Sequence, residues 1–392
     1  MNARPEAPLH VAFPLGGTDL GRSGIGTYVR EVLPPLISRL SASGGSLTAF
    51  GHPTELAAYA SALQGARQHP VRVTAKPGPN ALWHLLQAGP LARKLGADVL
   101  LLPAANRRLT ARATVPTVAV VHDLAQLRVR EKYDRLRMFY FHQVLMRGFR
   151  TATQLVAVSR ATRSDLVGAL RLPEDDVRVV YNGVNPDQFK GLDPAAAAVR
   201  DVRRALGLET RPYFFYPARL EHPGKNHVRL LRAFAQSRLA ETHTLACAGS
   251  DWGGGELIRA TVRELHLEDS VKFLGFVPSA QLPLLVSGAD AVLMLGLHEG
   301  FGLPALEGLS AGRPVAVANT GALPEVVGDL GVQCDPLDES AIASALVRVV
   351  TDEGMRARCR AEGPAWAENF TWARTAGGLV DACHAAIATA RR

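Results

Sequence analysis

Cysteine is scarce, at four residues in 392, and Cys247, Cys334, Cys359 and Cys383 are scattered with no CxxC spacing. The sequence therefore offers neither a disulfide framework nor a zinc knuckle, and reduced structural thiols in a cytoplasmic protein are expected. No apolar run approaches the roughly 20 residues of a membrane-spanning helix. The start, MNARPEAPLHVAF, lacks the long apolar region of a signal peptide, because LHVAFPL runs directly into a glycine loop. HExxH, GxSxG and the P-loop GxxxxGK[ST] are all missing. No DxD pattern stands at a strand end, since the acidic cluster Glu174-Asp175-Asp176 precedes a strand. Metal-dependent chemistry is disfavoured, and neither a metal nor a resident cofactor is expected.

What is present is a globular composition, 47% hydrophobic and 20% charged, long enough for two domains. The net charge of +8 is unevenly placed. Residues 1–200 carry 25 Lys and Arg against 14 Asp and Glu, whereas residues 201–392 carry 19 against 22. Only the basic first half is expected to meet an anionic partner. Short runs rich in Val, Ile, Leu and Ala alternate with longer helical patterns in both halves. Such runs lack strict apolar–polar alternation, which suits parallel strands covered by helices on both faces. Two doubly wound α/β domains follow, with the break near NGVNPDQFKGLDPAAAA (182–198). The expected division is 1–185, 186–370 and a terminal helix over 371–392. Ligands of open parallel sheets gather at the carboxyl ends of strands, so two facing domains would form a deep cleft.

Four stretches after strands carry candidate chemistry. HEGFGLPALEGLSAG (298–312) sets Gly300 and Gly302 before a helix with Pro304 in its first turn. Its N–H groups and dipole suit an anion such as a diphosphate. Glu299 and Glu307 on either side suit vicinal hydroxyls, or else a solvated loop and a helix-dipole contact. YPARLEHPGKNHVRLLRAF (216–234) places Arg219 and Lys225 on one loop. There they could neutralise a diphosphate without a metal or serve only as surface cations. GGTDLGRSGIGTYVREVL (16–33) is a glycine loop before a helix, though not GxGxxG, and a purely structural turn remains open. VVHDL (120–124) ends a buried strand in His122. That residue could bond a substrate hydroxyl, shuttle a proton, or be structural.

Taken in order, these motifs resemble the retaining GT-B glycosyltransferases of family 4 over nearly the whole chain. EGFGLPALE looks like the family's E-x7-E motif, ARLEHPGKN its Arg…Lys-Asn loop and SGIGTYV its amino-terminal glycine loop. FLGFVPSAQL (273–282) resembles the segment lining the nucleotide base, and FTWARTA (370–376) the start of the helix returning to the first domain. The resemblance implies two Rossmann-like domains, an acceptor-binding first and a nucleotide-sugar-binding second. It implies that Arg219 and Lys225 bind the diphosphate and Glu307 the ribose. Glu299 and the backbone of Gly300, Phe301, Gly302 and Leu303 would meet sugar and phosphate. By the same resemblance Gly24, Ile25, Gly26 and Val277 would be further donor contacts, and His122 would touch the donor sugar. Glu299, His122, Arg219 and Lys225 form the expected catalytic set. Gly308, where alanine is commoner after the second glutamate, is a departure, and so is Ala218 before the arginine.

The expected activity is retaining, metal-independent hexosyl transfer in polysaccharide synthesis, with a lean to mannose from GDP-mannose. The acceptor would be a saccharide or a lipid-linked sugar. A nucleotide-sugar epimerase of the same fold and a catalytically silent nucleotide-sugar-binding subunit are the alternatives. No nucleic-acid-binding module is recognisable. VREKYDRLRMFYFHQVLMRGFR (129–150) mixes arginines with aromatics. It reads either as an interfacial helix for an anionic cytoplasmic membrane face or as an ordinary helix with Leu136, Tyr140 and Val144 packed inward.

Overall fold

The structure, a computed structural model, describes residues 8–74, 76–129 and 135–391, apart from the side chains of Pro77, Leu136 and Arg137. Two compact units emerge. Among the described residues, the first comprises 8–124, 135–183 and 372–391, and the second 125–129 and 184–371.

The first unit is built on seven strands: β1 (His10–Pro14), β2 (Ser46–Gly51), β3 (Arg67–Pro70), β4 (Val99–Leu102), β5 (Thr117–Val121), β6 (Gln154–Ala157) and β7 (Val177–Val179). They lie in the order β3-β2-β1-β4-β5-β6-β7, and every pairing is parallel. VLLL of β4 and TVAVV of β5 are buried throughout. That is the continuous apolar reading a strand gives when helices cover both its faces.

The second unit has six strands: β8 (Tyr213–Tyr216), β9 (Thr244–Ala248), β10 (Val271–Gly275), β11 (Ala291–Met294), β12 (Val315–Ala318) and β13 (Val332–Cys334). Their order is β10-β9-β8-β11-β12-β13, again all parallel. In each sheet the strand order reverses once, between β1 and β4 and between β8 and β11. The carboxyl ends at those switch points are where doubly wound sheets bind ligands.

Two edge strands lie outside the Val-, Ile-, Leu- and Ala-rich runs that mark strands in the sequence. β3 reads RQHP, polar and mostly exposed, and β13 is three residues long. Neither carries the apolar run that marks a central strand. The helix Trp372–Ala390 belongs to the first unit. There Trp372 meets the ring of Tyr28 edge-on at 5.8 Å, and Thr375 donates a 2.7 Å bond to the Tyr181 carbonyl. Where the chain enters and leaves the second unit, Val184 bridges Thr371 in parallel.

The basic aromatic stretch is helical over Arg135–Tyr140 and Met146–Thr151, with a π-helical turn at Phe141–Leu145 between them. Residues 130–134, including Arg130 and Lys132, lie outside the described residues. The buried row is Phe141, Leu145 and Phe149, all at most 2% exposed, while Tyr140 and Val144 are half-buried and the Leu136 side chain lies outside the described residues. A wide turn of this kind adds a residue to the helical repeat and so rotates the face that follows.

All four cysteines are buried and unpaired. Burial pushes the thiols of Cys247, Cys334 and Cys383 up to about 12 and that of Cys359 up to about 11. They are poor nucleophiles at neutral pH. Among the described residues, no helix is long and apolar enough to cross a membrane.

Candidate functional site

β8 and β11 are neighbours at the switch point of the second sheet, and each hands the chain to a loop that ends in a helix. From β8, residues 217–226 lead into the helix His227–Gln236. Asn226 adopts the left-handed conformation at its start and donates a 2.7 Å side-chain bond to the Pro336 carbonyl. The Tyr216 hydroxyl donates to the Lys225 carbonyl, which fastens the far end of this loop to the strand it left. From β11, residues 295–302 lead into the helix Leu303–Ser310. Leu297 donates to the Gly224 carbonyl at 2.9 Å, and Ala322 donates to the Glu299 carbonyl at 2.9 Å. The two loops are thus tied to each other through main chain.

Lys225 and Glu299 converge from these loops. The ammonium lies 2.7 Å from one Glu299 carboxylate oxygen and 3.0 Å from the other, with the side chains 19% and 12% exposed. Gly296 makes the room, because a Cβ there would stand 2.4 Å from the Glu299 carboxylate. Arg219 is held differently. Its guanidinium donates to Glu221 at 3.1 Å and lies 4.2 Å over the ring of Trp252, a residue half exposed. Glu221 and Trp252 were not singled out from sequence. Trp252 had one available signal, a lone indole before a glycine run in SDWGGG.

Gly302 has φ of +94°, a conformation open to glycine, and no side chain caps the helix it begins. Pro304 occupies the first turn, where its missing N–H removes nothing from the helix. Glu307 follows one turn later and is buried at 8% exposure. Phe301 is buried against Phe370, 6.0 Å between ring centres. Val277 lies half-buried in the loop after β10, beside the exposed Phe276. Among the described residues, no hydrogen bond joins it to the Lys225–Glu299 pair.

The remaining candidates belong to the first unit. Gly24, Ile25 and Gly26 form the first turn of the helix Gly24–Ala42, whose Ser23 hydroxyl caps the Gly26 N–H at 3.3 Å. Ile25 is buried, and the space beside Gly24 is open. His122 directly follows β5 and is 7% exposed, with its Nε2 2.7 Å from the Pro103 carbonyl. Because a carbonyl only accepts, Nε2 carries the proton and Nδ1 is left as the acceptor.

Burial, helped by Arg107 and opposed by the Pro103 carbonyl and Asp123, brings His122 down to about 4. A ring neutral at pH 7 does not shuttle protons as an imidazolium there; it can still accept a hydrogen bond. His84 and His227 are also down to about 4, burial being the main cause in both. Unfolded imidazoles bind protons near pH 6.5 but these folded ones do not until about 4, so acid favours the unfolded chain between those values. The stability held above pH 6.5 is expected to fall as pH drops toward 4. Calorimetric Tm should decline steeply across that window; a flat profile there would rule out neutral burial of the three rings.

Residues 22–188 match the family described as Glycosyltransferase Family 4, and residues 199–366 match Glycosyl transferases group 1. The chain belongs to glycosyltransferase family 4. O-antigen chain mannosyltransferase B of Escherichia coli is 30% identical over 258 residues, covering 65% of this chain and 66% of that protein. D-inositol 3-phosphate glycosyltransferase of Salinispora arenicola is 33% identical over 296 residues, covering 70% of this chain and 64% of that one. The chain thus spans just under two thirds of each of these relatives. Among solved structures, Anabaena HepE in complex with UDP and glucose superposes with a TM-score of 0.74 at 20% identity, over 95% of this chain and 98% of that one. WaaG, a glycosyltransferase involved in lipopolysaccharide biosynthesis, gives 0.70 at 16% identity over the same shares. These likenesses, with two parallel-sheet units, make the fold GT-B.

Against the family 4 pattern, Gly308 has a local reason. A Cβ there would stand 2.8 Å from Cγ1 of Val315 and 3.1 Å from Cβ of Val292, so β-branched residues on β11 and β12 leave no space for the commoner alanine. At Ala218 the close approach is met from the other side, by Gly249, whose Cβ would stand 2.4 Å from the Ala218 carbonyl.

Proposed function

We propose that the chain is a retaining, metal-independent hexosyltransferase. Its donor is a nucleotide sugar, with GDP-mannose the favoured candidate, and its acceptor a saccharide or lipid-linked saccharide of polysaccharide synthesis. The observation that carries this reading is the meeting of Lys225 and Glu299 at the β8–β11 switch point, with Arg219 on the same loop as Lys225. Two cations there match a diphosphate leaving group. The uncapped helix start at Gly302 adds N–H groups for the same charge. Glu307 is assigned the ribose hydroxyls and Val277 the base. Glu299, with the backbone of Gly300–Leu303, takes the sugar. Gly24, Ile25 and Gly26 close on the donor, and His122 accepts a sugar hydroxyl through Nδ1. With no nucleophile assigned, transfer runs on the front face of the anomeric carbon with retention. The name of the Escherichia coli relative supports mannose, whereas UDP in HepE supports the donor class only.

A thermal-shift comparison of GDP-, UDP-, dTDP- and ADP-sugars tests the donor. NMR of the product's anomeric configuration tests the stereochemistry. GDP-mannose is expected to give the largest shift and an α-linked product; an inverted product overturns the mechanism.

Activity is expected to survive EDTA, because two cationic side chains cover the diphosphate. Complete loss on chelation, restored by Mg²⁺, would transfer that role to a metal.

Peripheral contact with an anionic membrane belongs to the same reading. Arg135 is exposed and Phe139 is 63% exposed on the first unit, a pairing that suits an interface. Sedimentation with anionic vesicles at low salt is expected, weakened by added salt and by Arg135→Glu. Protein left in the supernatant at low salt would make a soluble acceptor the better reading.

A further inference from the structure

Because the second sheet is wholly parallel, its strands begin along one edge and the donor candidates lie at the other. At the beginning edge, just ahead of β8, β11 and β12, an open cavity of about 330 Å³ is lined by Arg203, Glu209, Arg211, Asp290 and Arg313 among others. β8 and β11 are four residues long, so roughly 13 Å of strand separates this cavity from the donor loops.

Its charge is unbalanced. Arg203 spends its donors on main-chain carbonyls, those of Leu208 at 3.0 and 3.1 Å and of Arg211 at 3.3 Å. Arg211 donates to the Ala240 carbonyl at 3.2 Å. Carbonyls satisfy hydrogen bonds without cancelling charge. Asp290 is already engaged, by Arg356 at 2.8 Å through one oxygen and by His243 at 3.2 Å through the other. Arg313 is left half-buried, its Nε enclosed with no hydrogen-bond partner. Burial draws its pKa below the usual arginine value, with Asp290 and Tyr213 opposing. Among the described residues, none of Arg203, Arg211 and Arg313 is in an ion pair. Glu209, also on the lining, is exposed, and water screens it.

We infer that this cavity is a second anion site, separate from the donor diphosphate, that takes a phosphate-type oxyanion of a small phosphorylated metabolite. Three arginines lining one void supply more positive charge than a carboxylate, which pairs with a single fork, would need, and suit a phosphate-type oxyanion. The site stands independently of the proposed donor chemistry.

Inorganic phosphate is the probe, titrated calorimetrically into the full chain at low ionic strength. The arms are the native protein, an Arg219→Ala/Lys225→Ala variant lacking the donor cations, and the pocket variants Arg313→Gln and Arg211→Gln. The donor variant is expected to keep one saturable phosphate, and each pocket variant to weaken it at least tenfold. If Arg313→Gln fails to fold by circular dichroism, Arg211→Gln decides. Loss of all saturable binding in the donor variant, or unchanged binding in the folded pocket variants, overturns the inference.

Discussion

Arg219→Ala or Lys225→Ala is expected to abolish transfer while leaving the fold intact. Both side chains sit on the loop after β8, at 24% and 19% exposure, and neither belongs to the apolar core. A guanidinium or ammonium that meets charge building on a leaving diphosphate acts in a partly dry setting, where it counts for more than in water. Loss of either is expected to cost on the order of 2–4 kcal/mol at the transition state, roughly 30- to 1000-fold in rate. Circular dichroism and Tm should stay near those of the native protein. Arg219→Lys should fall between, because it keeps the charge and loses the planar fork that lies over Trp252. Near-normal kcat/KM in either alanine variant would remove these residues from the diphosphate.

Much of this site was legible in the chain, and the reason is local. β8 and β11 are central strands buried on both faces, so YFFY and AVLM stand out as apolar runs. The glycines and Pro304 after β11 punctuate a turn into a helix, a pattern that needs no tertiary knowledge. The partnership of Lys225 with Glu299 was not legible, because 74 residues separate them and only the β8–β11 pairing brings the loops together. Glu221 and Trp252 were missed for a similar reason. Trp252 reaches Arg219 because Leu220 bridges Asp251 across the ends of β8 and β9, a pairing with no trace in either segment alone.

Edges and irregular turns were harder still. β3 and β13 lie at sheet borders, where one side of the strand meets no neighbour and an apolar run is not required. A π-helical turn at Phe141–Leu145 interrupts the helix of the basic stretch, an irregularity that a fixed helical period cannot anticipate. Likewise, residues 125–129 follow β5 of the first sheet in sequence yet group with the second unit. Local composition has no signal for such an excursion.

Glu299→Gln is expected to separate two properties that a merely structural role would move together. The Glu299 carboxylate holds the Lys225 ammonium at 2.7 and 3.0 Å, so under the proposed reading a diphosphate arriving at Lys225 would meet a competing anion. Glutamine fills the same space beside Gly296 without the charge. The ammonium is then released, and repulsion of an incoming phosphate is removed. Since the pair is partly solvated, its release is worth only about 1 kcal/mol. Bare GDP should accordingly bind about fivefold more tightly. Transfer should move the other way. A charged carboxylate grips sugar hydroxyls with stronger bonds than an amide can offer, and loss of such a contact at the reacting sugar is expected to lower kcat by on the order of a hundredfold. Calorimetric titration of GDP and a radiolabelled transfer assay on the same preparation read the two effects. Adding Lys225→Met should cancel the gain in GDP affinity, because the released cation is then absent. GDP binding that weakens in step with kcat would place Glu299 among the supports of the loop rather than at the donor sugar.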